Sequence, residues 1–529
     1  MAQRIDAPTL KAWLSDAGEI ALLDVREAGQ FGEAHLFFAI PLPYSRFESG
    51  LPTLVPNPAV RVVLCDGGDG IAERAARRAE ALGYTDVHIL AGGVEAWRRA
   101  GYTLYAGVNV PSKTFGELVE LERHTPRISA QALQAMREAG EDFVIVDGRP
   151  LAEYRRMNIP GGICCPNGEL ALRIADIAPD PKTKIVVNCA GRTRSIIGAQ
   201  ILIDFGVPNP VYALENGTQG WFLAGLKLEN GASRRYPEAV NAADRGTRRA
   251  RARALAAARG VAFVAAAEAR RWLGEAGRTT YLLDVRTPEE FAARHLPGFA
   301  HAPGGQLIQA TDQWVGVRGA RLVLLDEEGV RAPVVASFLR QLGQAACVLE
   351  GGTAAAAALD WPQDESRPVL PHLAPILARA AAEALAAGKA RIIDLRSSTA
   401  YRKEHIPDAV WSIRPRIAAA AGTDKSRTIV LVADEPRTAA FAATDLTELG
   451  FADIRRLDGG QEAWAAAGLP VAATPGQPAD SDCIDYLFFT AARHEGDAEA
   501  ARAYLTWEIG LIDQLDAQER SAFRIAPGS

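Results

Sequence analysis

The chain has 529 residues, too many for a single hydrophobic core, so several domains of roughly 100–200 residues each are expected. A hydrophobic share of 48% against 23% charged residues fits a soluble globular protein. A net charge of −6 gives no hint of nucleic-acid affinity or of bulk attraction to a membrane surface.

Four copies of one phrase divide the chain. The first copy begins with "LLDVREAGQFGEAHL" from Leu22, an apolar strand ending in Asp-x-Arg and followed by a short acidic helix. A second apolar strand, "VRVVLCDGG", precedes an alanine-rich helix that stops at Gly83, and "AGGVEAW" closes the unit. These signals predict a first domain over 1–106. The linker 107–126 contains a predicted helix over Lys113–Arg123, with Ser112 as a candidate cap. The second copy, predicted over 127–232, reads "VIVDGRPLAEYRRMNIPGG", then "KIVVNCAGR", a helix to Gly206, and "ENGTQGW". A basic linker, 233–257, is predicted to be helical in its second half. The third copy (258–365) has "LLDVRTPEEFAARHLPG" and "ARLVLLDEE", and the fourth (370–474) has "IIDLRSSTAYRKEHIPDA" and "RTIVLVADE". The tail, 475–529, shows helical periodicity with several aromatics, a candidate for packing on a domain or on a second subunit of a homodimer.

Short continuous apolar strands alternating with helices predict an α/β protein, each domain a small parallel sheet with helices on both faces. Complete units of about 105 residues are domains in their own right rather than solenoid repeats.

The Asp-x-Arg, His-x-Pro-Gly and Gly-Gly-x-x-x-Trp landmarks in combination resemble the rhodanese family, and the resemblance extends over four tandem modules. "GVNVPSK" and "NCAGRTRSIIGAQ" give the second module the look of multi-domain bacterial rhodanese-related sulfurtransferases. The resemblance implies a sulfurtransferase whose catalytic cysteine ends a central strand, in a loop ahead of a helix.

Only Cys189 meets that description well. Domain three has Asp326 at the cysteine position and domain four has Ala433 or Asp434, so both are predicted inert. In domain one the spacing to Gly83 puts Asp66, rather than Cys65, at the equivalent place. Three features are expected to lower the pKa of Cys189: a nest of backbone N–H groups, a helix N-terminus, and the charges of Arg192 and Arg194. The amides from Ala190 through Gly191, Arg192, Thr193 and Arg194 to Ser195 would cradle the sulfur. Arg192 and Arg194 would bind the donor anion and the acceptor, with Arg149 a further candidate for lining the pocket.

The adjacent Cys164 and Cys165 are candidate resolving thiols, with local packing as the alternative. The four Asp-x-Arg pairs recur where the cysteine is absent, so they read as intramodule salt bridges. His35, His295 and His405 read as structural, with Asn158 in the corresponding place in domain two.

The expected reaction moves a sulfane sulfur from an anionic donor, thiosulfate or a thiol donor such as 3-mercaptopyruvate, to a thiol or cyanide through a Cys189 persulfide. A non-catalytic persulfide sensor or assembly scaffold is the competing class. A rhodanese-like phosphatase is a minor one, because the arginine falls five residues after Cys189 and leaves a loop too small for phosphate. Six scattered cysteines without a CxxC pair, no apolar leader and no bilayer-length apolar run predict a cytoplasmic protein with no metal or organic cofactor and no membrane or nucleic-acid partner.

Overall fold

A computed structural model describes residues 2–362, 370–488 and 496–525. It contains four five-stranded sheets, every strand pair parallel, each with its first strand at one edge and the order first, fifth, fourth, second, third. The expected α/β architecture of four tandem modules is therefore the one observed. In domain two the order is Arg127–Ile128, Val211–Leu214, Lys184–Asn188, Phe143–Asp147 and Ile163–Cys164.

The strands are apolar because both of their faces are covered. Along Ile20–Asp24, Ala21 and Leu23 enter one core cluster while Ile20 and Leu22 enter another, the two-residue alternation of a strand between two helical layers. One of these clusters is continuous through domains one, two and three, joining Leu51, Leu202 and Phe338, with Phe115 of the linker helix also in it. Domain four keeps its two faces to itself.

The four Asp-x-Arg pairs are built alike. Arg149 donates its backbone N–H and Nε to Asp147 Oδ1 (3.1 and 2.9 Å) and Nη2 to Asp147 Oδ2 (2.7 Å) and to the Met157 carbonyl (2.6 Å). Arg26, Arg286 and Arg396 repeat this toward the carbonyls of Ala34, Arg294 and Glu404. Each pair thus ties a strand end to the end of the short helix after it. The tryptophans do the same for the last helix: Trp97, Trp221 and Trp464 each donate Nε1 to a carbonyl six residues on. Domain three lacks a tryptophan at that position and brings Trp361 into the same core from the C-terminal side.

The linker helix runs Val110–Arg123, three residues longer at its start than the sequence signals implied, with Asn109 in the N-cap position and Ser112 buried inside the helix. The second linker forms the helix Arg245–Ala258. The tail is only partly helical. Its first stretch crosses domain one, where Gly29 N–H donates to the Ile484 carbonyl (2.8 Å). A helix, Ala498–Ile509, and a short one, Ala517–Ser521, follow. Part of the aromatic stretch read as periodic, residues 489–495, lies outside the described residues.

Domain four is joined to domain one by a buried ionic network instead of a shared core. Arg414 forks onto Glu48 (2.6 and 2.7 Å) and also reaches Asp445, which Arg74 and Arg78 contact from domain one. Burial raises the pKa of the Asp445 carboxyl, but Arg414, Arg74 and Arg78 outweigh it and hold the group below 3.8. Because the folded pKa is depressed, this stabilisation is present above the ordinary carboxylate range and is lost as pH falls through the depressed value.

Removing one member of a buried ion pair strands the others, so Arg414→Ala is expected to cost about 3–5 kcal/mol. Arg414→Lys, which keeps the charge without the fork, should recover only part of it. Urea unfolding at pH 7 measures both, and the wild-type advantage should shrink when the titration is repeated near pH 3.

Candidate active site

Cys189 follows the strand Lys184–Asn188 and leads, through Ala190, Gly191 and Arg192, into the helix Thr193–Phe205. Strand register aligns this loop with its sisters. Asp147 pairs with Asn188, Asp24 with Cys65, Asp284 with Leu325 and Asp394 with Val432. The next residue in each domain is therefore Cys189, Asp66, Asp326 and Ala433, in domains two, one, three and four. Cys65 is the last residue of a strand, buried in a core, and Asp66 occupies the loop position.

The sister loops show what these backbones bind. In domain three, Asp326 accepts N–H bonds from Glu328 (3.2 Å), Val330 (2.9 Å) and Arg331 (2.8 Å), and Arg331 Nε donates to it at 2.9 Å. In domain one, Asp66 accepts from Gly68 N–H (2.8 Å) and Ala72 N–H (2.9 Å). Both loops are filled by an anion covalently attached at the position of Cys189. Arg331 stands five residues after Asp326, as Arg194 stands five after Cys189. Among the described residues, no protein acceptor takes the N–H groups of Gly191, Thr193 or Arg194.

The thiol itself is covered, at 2% exposure. Ser195 Oγ donates to Cys189 Sγ at 3.1 Å. Burial is the largest influence and lifts the thiol pKa above 9.0, while Arg194 and Ser195 pull it down and Glu508 pushes it up again. This reverses the direction expected from the sequence. The nest, helix end and arginine are present, but desolvation of the sulfur outweighs them in this covered arrangement.

The two loop arginines are both committed to carboxylates. Arg192 donates Nε and Nη2 to Glu117 (2.8 Å each) and reaches Glu120 and Asn216, so its charge is met by the linker helix rather than left for a donor. Burial pushes the Glu117 carboxyl up to about 7 against the pull of Arg192. Arg194 forks onto Glu153 (2.8 and 2.7 Å), contacts Gln306 of domain three (3.3 Å), and remains the cation that most favours the Cys189 thiolate. Arg149, 2% exposed, commits its Nε and Nη2 to Asp147 and the Met157 carbonyl.

Cys164 and Cys165 do not reach the sulfur loop. Cys164 is registered with Asp147, which is registered with Asn188, so it lies two strand spacings, about 10 Å, from the strand that Cys189 follows. A disulfide needs β-carbons within about 4.5 Å. Cys165 belongs to the main core cluster. Burial pushes the Cys164 thiol up to about 12 and Cys165 well above 9.0, so local packing accounts for both. His35, whose pKa burial drives down to about 3, is a neutral core residue of domain one.

The tail helix Ala498–Ile509 closes the site, a contribution the sequence did not disclose. Thr193 Oγ1 donates to Glu508 Oε1 at 2.6 Å, across 315 residues of chain. Lys113 of the linker helix lies 5.3 and 4.9 Å from the ring centroids of Tyr504 and Trp507. Gly191 is needed for this close approach: a Cβ there would stand 3.0 Å from Glu508 Oε2 and 3.4 Å from the Tyr504 ring. On the other side of the loop, a Cβ on Gly116 would stand 2.8 Å from Thr193 Cγ2, so the linker helix also packs on bare backbone. Gln219 is a second omission. Its only sequence signal is that Glu95, Ala354 and Glu462 occupy the same place in the other modules.

A family model described as "Rhodanese-like domain" matches residues 6–100, 129–224, 265–358 and 377–467, well over half of the chain. The chain belongs to the rhodanese-like family. A solved structure, that of thiosulfate sulfurtransferase from Pseudomonas aeruginosa, is similar over 99% of both chains with 43% identity and a TM-score of 0.89. Among curated proteins, thiosulfate sulfurtransferase GlpE of Pseudomonas savastanoi is 34% identical over 86 residues, 16% of this chain and 81% of that protein. The HTH-type transcriptional regulator Rv0324 of Mycobacterium tuberculosis is 37% identical over 105 residues, 20% of this chain and 45% of that regulator. The likeness to the Pseudomonas aeruginosa protein covers all four rhodanese-like modules and the tail, so the tail is part of the shared architecture.

Since the thiol titrates above 9.0, alkylation of Cys189 by iodoacetamide should speed up about tenfold per pH unit from pH 7 to 9. Ser195→Ala removes a hydrogen bond that favours the thiolate and should slow alkylation roughly tenfold or more at each pH. Mass mapping of the alkylated peptide, timed across the pH series, measures both.

Proposed function

We propose that the chain moves a sulfane sulfur from thiosulfate, or a related anionic donor such as 3-mercaptopyruvate, to a thiophilic acceptor by way of a persulfide on Cys189. Family membership and the full-length likeness to a thiosulfate sulfurtransferase make the protein a sulfurtransferase. The assignment of the carrier to domain two rests on one observation: the same loop in domains one and three encloses a carboxylate, and only in domain two is that position a sulfur nucleophile.

The chemistry follows from that cradle. The Cys189 thiolate attacks the outer sulfur of thiosulfate. A new S–S bond forms as the S–S bond of the donor breaks, and sulfite departs with the electron pair. The negative sulfur then sits among loop N–H groups, as the Asp326 carboxylate does in domain three, with Arg194 beside it and Ser195 Oγ donating to it. A thiolate or cyanide attacks the outer sulfur next, forms its own bond to it, and returns the electron pair to Cys189 Sγ. Electrons stay paired throughout, so the cycle itself calls for no redox partner. Arg192, bound to Glu117 and Glu120, braces the loop. Because Cys189 is covered, donor and acceptor reach it only when the segments over it shift.

Steady-state transfer from thiosulfate to cyanide separates this reading from that of a persulfide sensor, which would take up sulfur once and stop. Cys189→Ser should reduce turnover to background, whereas Cys65→Ser should stay within about twofold of wild type, since Cys65 lies outside the loop. Intact mass after thiosulfate treatment should rise by one sulfur, located on the Cys189 peptide. Sulfur found on any other cysteine would overturn the assignment.

A further inference from the structure

Two buried side chains beside the sulfur loop have polar atoms with no protein partner. Glu508 is 2% exposed: its Oε1 accepts from Thr193 Oγ1, and its Oε2 has no partner among the described residues. Gln219 is 4% exposed, and neither its Oε1 nor its Nε2 has one. Both reach the same point, since a Cβ on Gly191 would stand 3.0 Å from Glu508 Oε2 and 3.8 Å from Gln219 Nε2. Polar atoms buried in this way are costly unless something hydrogen-bonds to them. One carboxylate oxygen, Glu508 Oε2, and the Gln219 amide, through its Nε2, thus lie within reach of one loop.

The charge balance narrows what could satisfy them. The guanidiniums of Arg192 and Arg194 are met by Glu117, Glu120 and Glu153, and Glu508 adds a fourth carboxylate. A molecule entering between the tail helix and the loop therefore meets a carboxylate oxygen, Glu508 Oε2, to which no guanidinium is hydrogen-bonded. A dianion is opposed there, whereas an ammonium group is attracted and carries the N–H donors that this oxygen lacks.

We infer that Glu508, with Gln219, is the specificity-determining element of the domain-two site and selects as sulfur acceptor a small thiol that bears an ammonium group. The inference rests on the Cys189 persulfide reading. The ammonium binds to Glu508 Oε2, and the unpartnered Gln219 amide turns over to accept from it through Oε1, which positions the acceptor's sulfur toward Cys189. That acceptor enters as a thiolate, its proton left in solvent. It attacks the outer sulfur of the persulfide, a new S–S bond forms on the acceptor, and the electron pair of the broken bond returns to Cys189 Sγ. The same carboxylate acts against thiosulfate at the loading step, so one residue has opposite effects on the two half-reactions.

The test uses the full-length protein loaded with one sulfur from thiosulfate and then mixed with cysteamine, 2-mercaptoethanol or 3-mercaptopropionate. Discharge of Cys189 is followed by mass spectrometry, with rates expressed per thiolate. Wild type should discharge fastest to cysteamine and slowest to 3-mercaptopropionate, the two differing by at least about tenfold. Glu508→Gln keeps the bond to Thr193 and removes the charge. It should slow cysteamine about tenfold while speeding both 3-mercaptopropionate and loading by thiosulfate. Gln219→Met should slow cysteamine without speeding the anionic acceptor. A variant that moves all acceptors by a common factor, or a wild-type ranking that does not favour cysteamine, overturns the inference and leaves the persulfide carrier standing. The wild-type ranking needs no variant to fold. Failure of Cys189 to load from thiosulfate, 3-mercaptopyruvate or glutathione persulfide would overturn the carrier reading, and this inference with it.

Discussion

A strand that turns into a helix through a tight loop leaves several backbone N–H groups pointing inward without a helical partner, and those groups favour an anion. The rest of this structure can be read from how each domain meets that preference. Domains one and three supply it permanently, with Asp66 and Asp326. Domain four has Ala433 at the position and starts its helix with Pro436, which has no N–H to satisfy. Domain two places a thiol there. A carboxylate is a fixed occupant, whereas a thiol can be an anion, gain a sulfur, pass it on and become an anion again. On the proposed reading, the side chains of Asp66 and Asp326 stand where the Cys189 sulfur would sit during the cycle.

The price of such a site is desolvation. Cys189 is shielded by its own loop helix, by the linker helix through Arg192 and Glu117, and by the tail helix through Thr193 and Glu508. Burial of this kind strengthens every hydrogen bond to a thiolate once one forms, and it also opposes forming one. Domains one and three are bound to domain two through a continuous core, and domain three adds Gln306 beside Arg194. The modules without a nucleophile therefore build the walls of the site and hold the segments that cover it.

The linkers matter as much as the domains. Val110–Arg123 both seats the tail, through Lys113 beneath Tyr504 and Trp507, and fixes the loop, through Glu117 and Glu120. One helix outside any repeat thereby contacts both the cover and the cradle.

Local features of the sequence determined the repeats, the parallel sheets and the singling out of Cys189. Strand period, Asp-x-Arg at strand ends and the count to the helix-ending glycine all act over a few residues, where spacing maps directly onto geometry. Asp66 in place of Cys65 was legible for the same reason: the loop length has to match. What only the tertiary structure decided is the electrostatics. The direction of the Cys189 shift, the commitment of Arg192 to Glu117, the distance of Cys164 from the sulfur and the arrival of Glu508 each depend on which segments cover the loop. The tail helix comes from 315 positions away, and no periodicity in it names the loop it will meet. Charge and burial are sums over everything that packs nearby, and a linear sequence orders residues by chain position and not by the neighbours that packing brings.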